Sequence, residues 1–111
     1  MNYKVPLKDI AFVSNEVLDM PTHYSKFTKG KAAEPELLEA IYSEAAKFCE
    51  NELQPLNASG DEEGCHFDNG VVTTPKGFKE AYDRFVENGW PALCGPTEFG
   101  GQGMPESVGL V

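Results

Sequence analysis

The most constraining stretch of this chain runs from Asn88 to Pro105 and reads NGWPALCGPTEFGGQGMP. It holds the only tryptophan, Trp90, with three of the eight prolines and five of the eleven glycines. No regular helix or strand can run through it, because proline removes backbone donors and glycine leaves the backbone unrestrained. Yet Trp90, Leu93, Phe99 and Met104 are too apolar for a free linker. The expectation is an ordered connection pinned to a core by Trp90, with glycines that allow tight turns and close backbone approach.

Helical patterns flank this connection. Glu34 to Leu53 has Pro35 at the first helical position, with Glu36 and Glu39 near the positive end of the dipole. Leu38, Ile41, Ala45, Phe48 and Cys49 define its buried stripe, Glu44, Lys47 and Glu50 its wet side, and Pro55 its end. Thr74 to Asn88 has Thr74 as its cap, Pro75 at the first position and Gly89 as a left-handed stop. Phe78, Ala81, Tyr82, Phe85 and Val86 make its inner face, and Glu80 precedes Arg84 at the spacing of a surface pair. Trp90 falls where a Schellman motif would lay it over Phe85.

Leu7 to Met20 can form an amphipathic helix, with Ile10, Val13 and Val17 on one stripe. A helix of this length needs a surface to lie on. Pro21 to Ala33 reads as a loop anchored by Tyr24 and Phe27, and Asn57 to Thr73 as a polar loop. Within the latter, Asn69-Gly70 is a type I′ turn pair for a short hairpin near residues 65–73. Pro105 starts a last helix of about two turns, a start without an end. The fold class is mainly α.

Composition excludes several functions. With 18 acids against 9 bases, the net charge of −9 opposes binding to nucleic-acid phosphates. Residues 1–33 carry five bases and three acids, so the leader is basic and the remainder strongly acidic. The leader either lies against that acidic remainder or is a loose tail. Cys49, Cys65 and Cys94 are odd in number and lack paired spacing, which fits a reducing compartment. No apolar run approaches a membrane span, and the first residues do not resemble a signal peptide, so the expected location is the cytoplasm.

The chemistry is sparse. Asp61, Glu62, Glu63, Cys65 and His66 cluster, but their spacing fits neither a calcium loop nor a zinc motif. Lys26, Lys29 and Lys31 form a small basic run that could meet a phosphate or be solvated. Gly101 and Gly103 resemble half a dinucleotide fingerprint, yet Glu106 stands where its third glycine would fall. No nucleophile and base stand together. The expected catalytic, cofactor-binding and metal residues within this chain are therefore none.

Pro96 to Pro105 (PTEFGGQGMP), preceded by Gly89-Trp90, resembles the N-terminal domain signature of the acyl-CoA dehydrogenases. Thr97 stands where that family often has an acid. Residues 3–9 (YKVPLKD), Gly60 to Gly64 (GDEEG) and Thr74 to Phe78 (TPKGF) resemble the family's longer members with an extra N-terminal segment, the 3-methylmercaptopropionyl-CoA dehydrogenase-like group. The resemblance implies an extension over residues 1–33. Residues 34–111 would be the family's N-terminal helical domain, cut before a middle β domain. It implies FAD, an acyl-CoA substrate, an electron-transfer flavoprotein and a homo-oligomer for the longer enzyme, with this chain alone inactive. The competing expectation is a stand-alone acidic helical module that binds another protein.

Overall fold

A computed structural model describes residues 2–111. The chain is built on one long rod. Helix α3 (Pro35–Phe48) passes through a π-helical turn at Cys49–Leu53 and continues as α4 (Gln54–Glu63). Pro55 therefore does not end the helix. The π turn resets the hydrogen-bond ladder so that Pro55 falls in the first turn of α4, where a missing N–H is tolerated. The stretch from Asn57 read as a loop is thus helical to Glu63, and Gly64, with φ +67°, stops it.

Beyond the rod, β1 (His66–Asp68) pairs antiparallel with β2 (Val71–Thr73), with Phe67 opposite Val72. Asn69 and Gly70 both have positive φ, as a type I′ turn requires, so the hairpin stands where the sequence placed it. Helix α5 (Phe78–Glu87) begins later than expected. Gly77 takes φ +90° and acts as the N-cap residue, which leaves Thr74 and Pro75 in the preceding turn. At the other end Gly89 has φ +78° and donates to the Val86 carbonyl, as a left-handed stop should.

Helix α5 lies along the rod. Phe85 meets Phe48 with ring centroids 6.1 Å apart, and Arg84 reaches Glu52 at 2.6 Å. Arg84 is therefore paired with the rod rather than with Glu80, and the surface pair of α5 is Lys79–Asp83 at 2.6 Å. Ala81 is buried, whereas Phe78, Tyr82 and Val86 of the expected inner face are exposed.

The leader departs most from expectation. Helix α1 (Leu7–Ala11) runs into a π-helical turn (Phe12–Val17) and breaks at Asp19, whose φ is +48°. Leu7, Ile10 and Ser14 turn inward while Val13 and Val17 are exposed, so of the expected stripe Ile10 faces inward and the two valines do not. Helix α2 (Met20–Ser25) and a 3₁₀ turn (Lys29–Ala32) then occupy the stretch read as a loop. The leader does lie against the acidic remainder, through Lys4–Glu50 at 2.8 Å and Lys29–Glu106 at 3.2 Å.

The core forms where leader, glycine-rich connection and last helix meet on α3. Tyr24, Ala33, Leu93, Met104 and Val108 of α6 (Glu106–Gly109) make one buried cluster, with Leu38, Ile41 and Tyr42 of α3 against it. The whole is a plate of 54 × 36 × 17 Å. Its radius of gyration is 17.1 Å, against roughly 13 Å for a compact domain of this length. Its accessible surface is 8168 Å², against about 6,100 Å² for a monomer of this mass. Roughly 2,000 Å² of surplus surface on one chain is more than the about 800 Å² that each partner contributes to a standard interface.

Candidate functional site

The glycine-rich connection is the first place to look for ligand chemistry, and its backbone is already satisfied. Six consecutive amides, from Phe99 to Met104, donate to carbonyls of the connection itself. Gln102 reaches Ala92 at 2.9 Å, Gly103 reaches Gly95 at 2.9 Å and Met104 reaches Leu93 at 3.0 Å. The two limbs thus form a closed loop, and a β-carbon on Gly101 would collide with the Gly95 carbonyl. These glycines serve close approach. A phosphate cradle needs N–H groups pointing outward and unpaired, so this connection does not form one.

The other candidates are dispersed or occupied. Lys29 donates to the Cys94 carbonyl at 3.2 Å and pairs with Glu106, while Lys26 and Lys31 are exposed. Asp61, Glu62 and Glu63 lie on the last turn of α4, with Cys65 and His66 exposed beyond it. Among the described residues no group of three or more His, Cys, Asp and Glu side chains is placed to hold a metal. Cys49, Cys65 and Cys94 are free thiols, and Cys94 Sγ donates to the Pro105 carbonyl at 3.4 Å.

Trp90 is not the chief anchor of the connection. Leu93 and Met104 are the buried side chains, while Trp90 is half-buried and Phe99 is 83% exposed. The Trp90 Nε1 donor is nevertheless out of reach of solvent and has no hydrogen-bond partner among the described residues. It lies beside a shallow depression lined by Ile41, Phe48, Asn88 and Gln102.

An apolar groove of about 540 Å³ lies between the leader and α3. Leu7, Ile10, Leu18 and Met20 form one wall and Leu38 and Tyr42 the other, with Ser107 and Val111 at one end. At its base Tyr24 Oη and Ser107 Oγ are 2.7 Å apart, joining leader to α6. Burial, then the neighbouring Tyr24 and Cys94, push the Tyr42 hydroxyl above its ordinary pKa, so it is a neutral donor. Tyr24 was legible as an anchor. Tyr42 and Ser107 were not, because their partners lie far away in sequence.

Residues 35–109 match the family model for the acyl-CoA dehydrogenase N-terminal domain. The chain is 38% identical over 109 residues to a 3-methylmercaptopropionyl-CoA dehydrogenase of Ruegeria pomeroyi, covering 98% of this chain and 18% of that protein. It is 33% identical over 91 residues to a butyryl-CoA dehydrogenase of Syntrophomonas wolfei, covering 79% of this chain and 15% of that protein. The chain thus spans less than a fifth of the length of these curated relatives. The first match includes the leader, as the pattern over residues 3–9 implied.

Proposed function

This chain belongs to the acyl-CoA dehydrogenase family, as its N-terminal domain, and from that premise we propose that it is the leading helical part of a longer flavoenzyme. That enzyme performs the α,β-dehydrogenation of an acyl-CoA thioester. Residues 1–33 are an extension, and residues 34–111 form one wall of the acyl and flavin cavity. The observation that carries this reading is the thin plate with its surplus surface, built to lie against more protein.

FAD supplies the redox chemistry, and the residues that hold it lie elsewhere in the longer protein. The reading extends to an electron-transfer flavoprotein as acceptor, a homo-oligomer and a cytoplasmic setting. Among the described residues no helix is long and apolar enough to cross a membrane. The names of both relatives specify short acyl thioesters, so short-chain acyl-CoAs are the substrate class to try first.

The test is flavin content. The longer protein should copurify with stoichiometric flavin that butyryl-CoA or 3-methylmercaptopropionyl-CoA bleaches, and residues 1–111 alone should carry none. Stoichiometric flavin on the 111-residue chain would overturn this division of labour. A flavin-free native species near 12.2 kDa that captures another polypeptide would favour the interaction-module reading.

A further inference from the structure

Residues 2–18 are held differently from helix α2, which follows them. Helix α1 and its π-helical continuation bury no residue, and no side chain from this segment joins the core cluster or packs against it. Asp19 follows with a left-handed backbone, which a residue with a side chain adopts at a cost. Tyr24, five residues later, is buried and bonded to Ser107. The chain passes from loosely to firmly held across one strained residue.

The polar tie on the loose side is Glu50. Its carboxylate accepts from Lys4 Nζ at 2.8 Å and from the Val5 N–H at 2.9 Å. Glu50 sits in the π turn of the rod, as does Glu52, which takes Arg84 of α5. One turn therefore offers a carboxylate to each of two neighbouring elements. Below the tied segment lies the apolar groove, with Leu7, Ile10 and Leu18 facing Leu38 and Tyr42.

We propose that residues 2–18 are a strap, hinged at Asp19 and latched by Glu50, that opens and closes over the apolar groove on α3 while the core stays folded. Closure covers the groove with Leu7, Ile10 and Leu18. Opening uncovers it without disturbing Tyr24, Leu93, Met104 or Val108, because the strap shares no buried contact with them.

Amide hydrogen exchange on the full-length protein tests the strap. Amides of residues 10–18 should exchange at least about a hundredfold faster than those of 38–48, since local opening costs far less than global unfolding. Glu50→Gln removes the charge that strengthens both latch bonds. It should speed exchange in 10–18 by about tenfold, whereas Tyr24→Phe, which removes a core bond the open strap keeps, should speed exchange in 38–48 and leave 10–18 unchanged. Lys4→Met keeps the Val5 bond and should produce a smaller increase. Anilinonaphthalene sulfonate fluorescence should rise with Glu50→Gln as the groove opens. Equal wild-type rates in the two sets would make the leader part of one cooperative unit and overturn the proposal. Glu50→Gln leaving 10–18 unchanged would overturn the latch, and Tyr24→Phe speeding both sets would overturn the independent strap.

Discussion

Replacing Gly101 by alanine should cost more than replacing Gly100, although Gly100 is the one with a left-handed backbone, at φ +86°. A β-carbon on Gly100 meets nothing within 4 Å, so the penalty there is the conformation itself, about 1–2 kcal/mol. A β-carbon on Gly101 would fall inside the contact distance of the Gly95 carbonyl oxygen, carbonyl carbon and Cα, all backbone atoms that no rotamer change can move. Relieving that collision parts the limbs that Gly101–Pro96, Gln102–Ala92 and Gly103–Gly95 bonds hold together. Overpacking at about 1–3 kcal/mol, with about two of those three hydrogen bonds lost at about 1 kcal/mol each, totals roughly 3–5 kcal/mol. At about 4–8 °C per kcal/mol, the Gly101→Ala melt should drop by at least about 12 °C and the Gly100→Ala melt by about half that. Thermal melts followed by far-ultraviolet circular dichroism measure both. A Gly101→Ala melt no lower than that of Gly100→Ala would refute the close-approach reading.

Trp90→Phe should cost under about 1 kcal/mol, because it removes a buried donor that has no partner; a loss above about 2 kcal/mol in urea unfolding would mean the indole N–H is bonded in solution. Tyr24→Phe and Ser107→Ala should each cost about 1 kcal/mol, and the double variant little more than either, since both remove one 2.7 Å bond. Full additivity in a double-mutant cycle would show the bond contributes nothing. Lys4, and after it the Val5 N–H, hold the Glu50 carboxyl below its ordinary pKa of 4.5. The stabilisation is therefore complete above about pH 4.5 and lost as pH falls through the lower folded value. Melts of wild type and Glu50→Gln should converge in acid, and a gap independent of pH would contradict that assignment.

Local chemistry made some elements legible and register concealed others. The hairpin followed from Asn69-Gly70 and the end of α5 from Gly89, because each needs only its own dihedrals. Tyr24 announced itself as an aromatic in a polar stretch. The two π turns did not, since a 3.6-residue period cannot register an extra residue in a turn. The second of them made Pro55 look like a stop. The outward Tyr82 and Val86 misled for another reason. Periodicity marks a face as apolar without saying whether this chain or another surface covers it. Of the groove, Tyr24 was readable and Tyr42 and Ser107 were not. The closed hydrogen bonding of the glycine connection required coordinates, whereas the absence of a third glycine at Glu106 already spoke against a cradle.

The most direct measurement is the mass and flavin content of the native protein, detected in its source cells through an antibody to this domain. The account predicts a polypeptide several times larger than 12.2 kDa that carries stoichiometric flavin and oxidises a short acyl-CoA. A flavin-free native species near 12.2 kDa would contradict it, and the exposed plate would then have to face a separate protein.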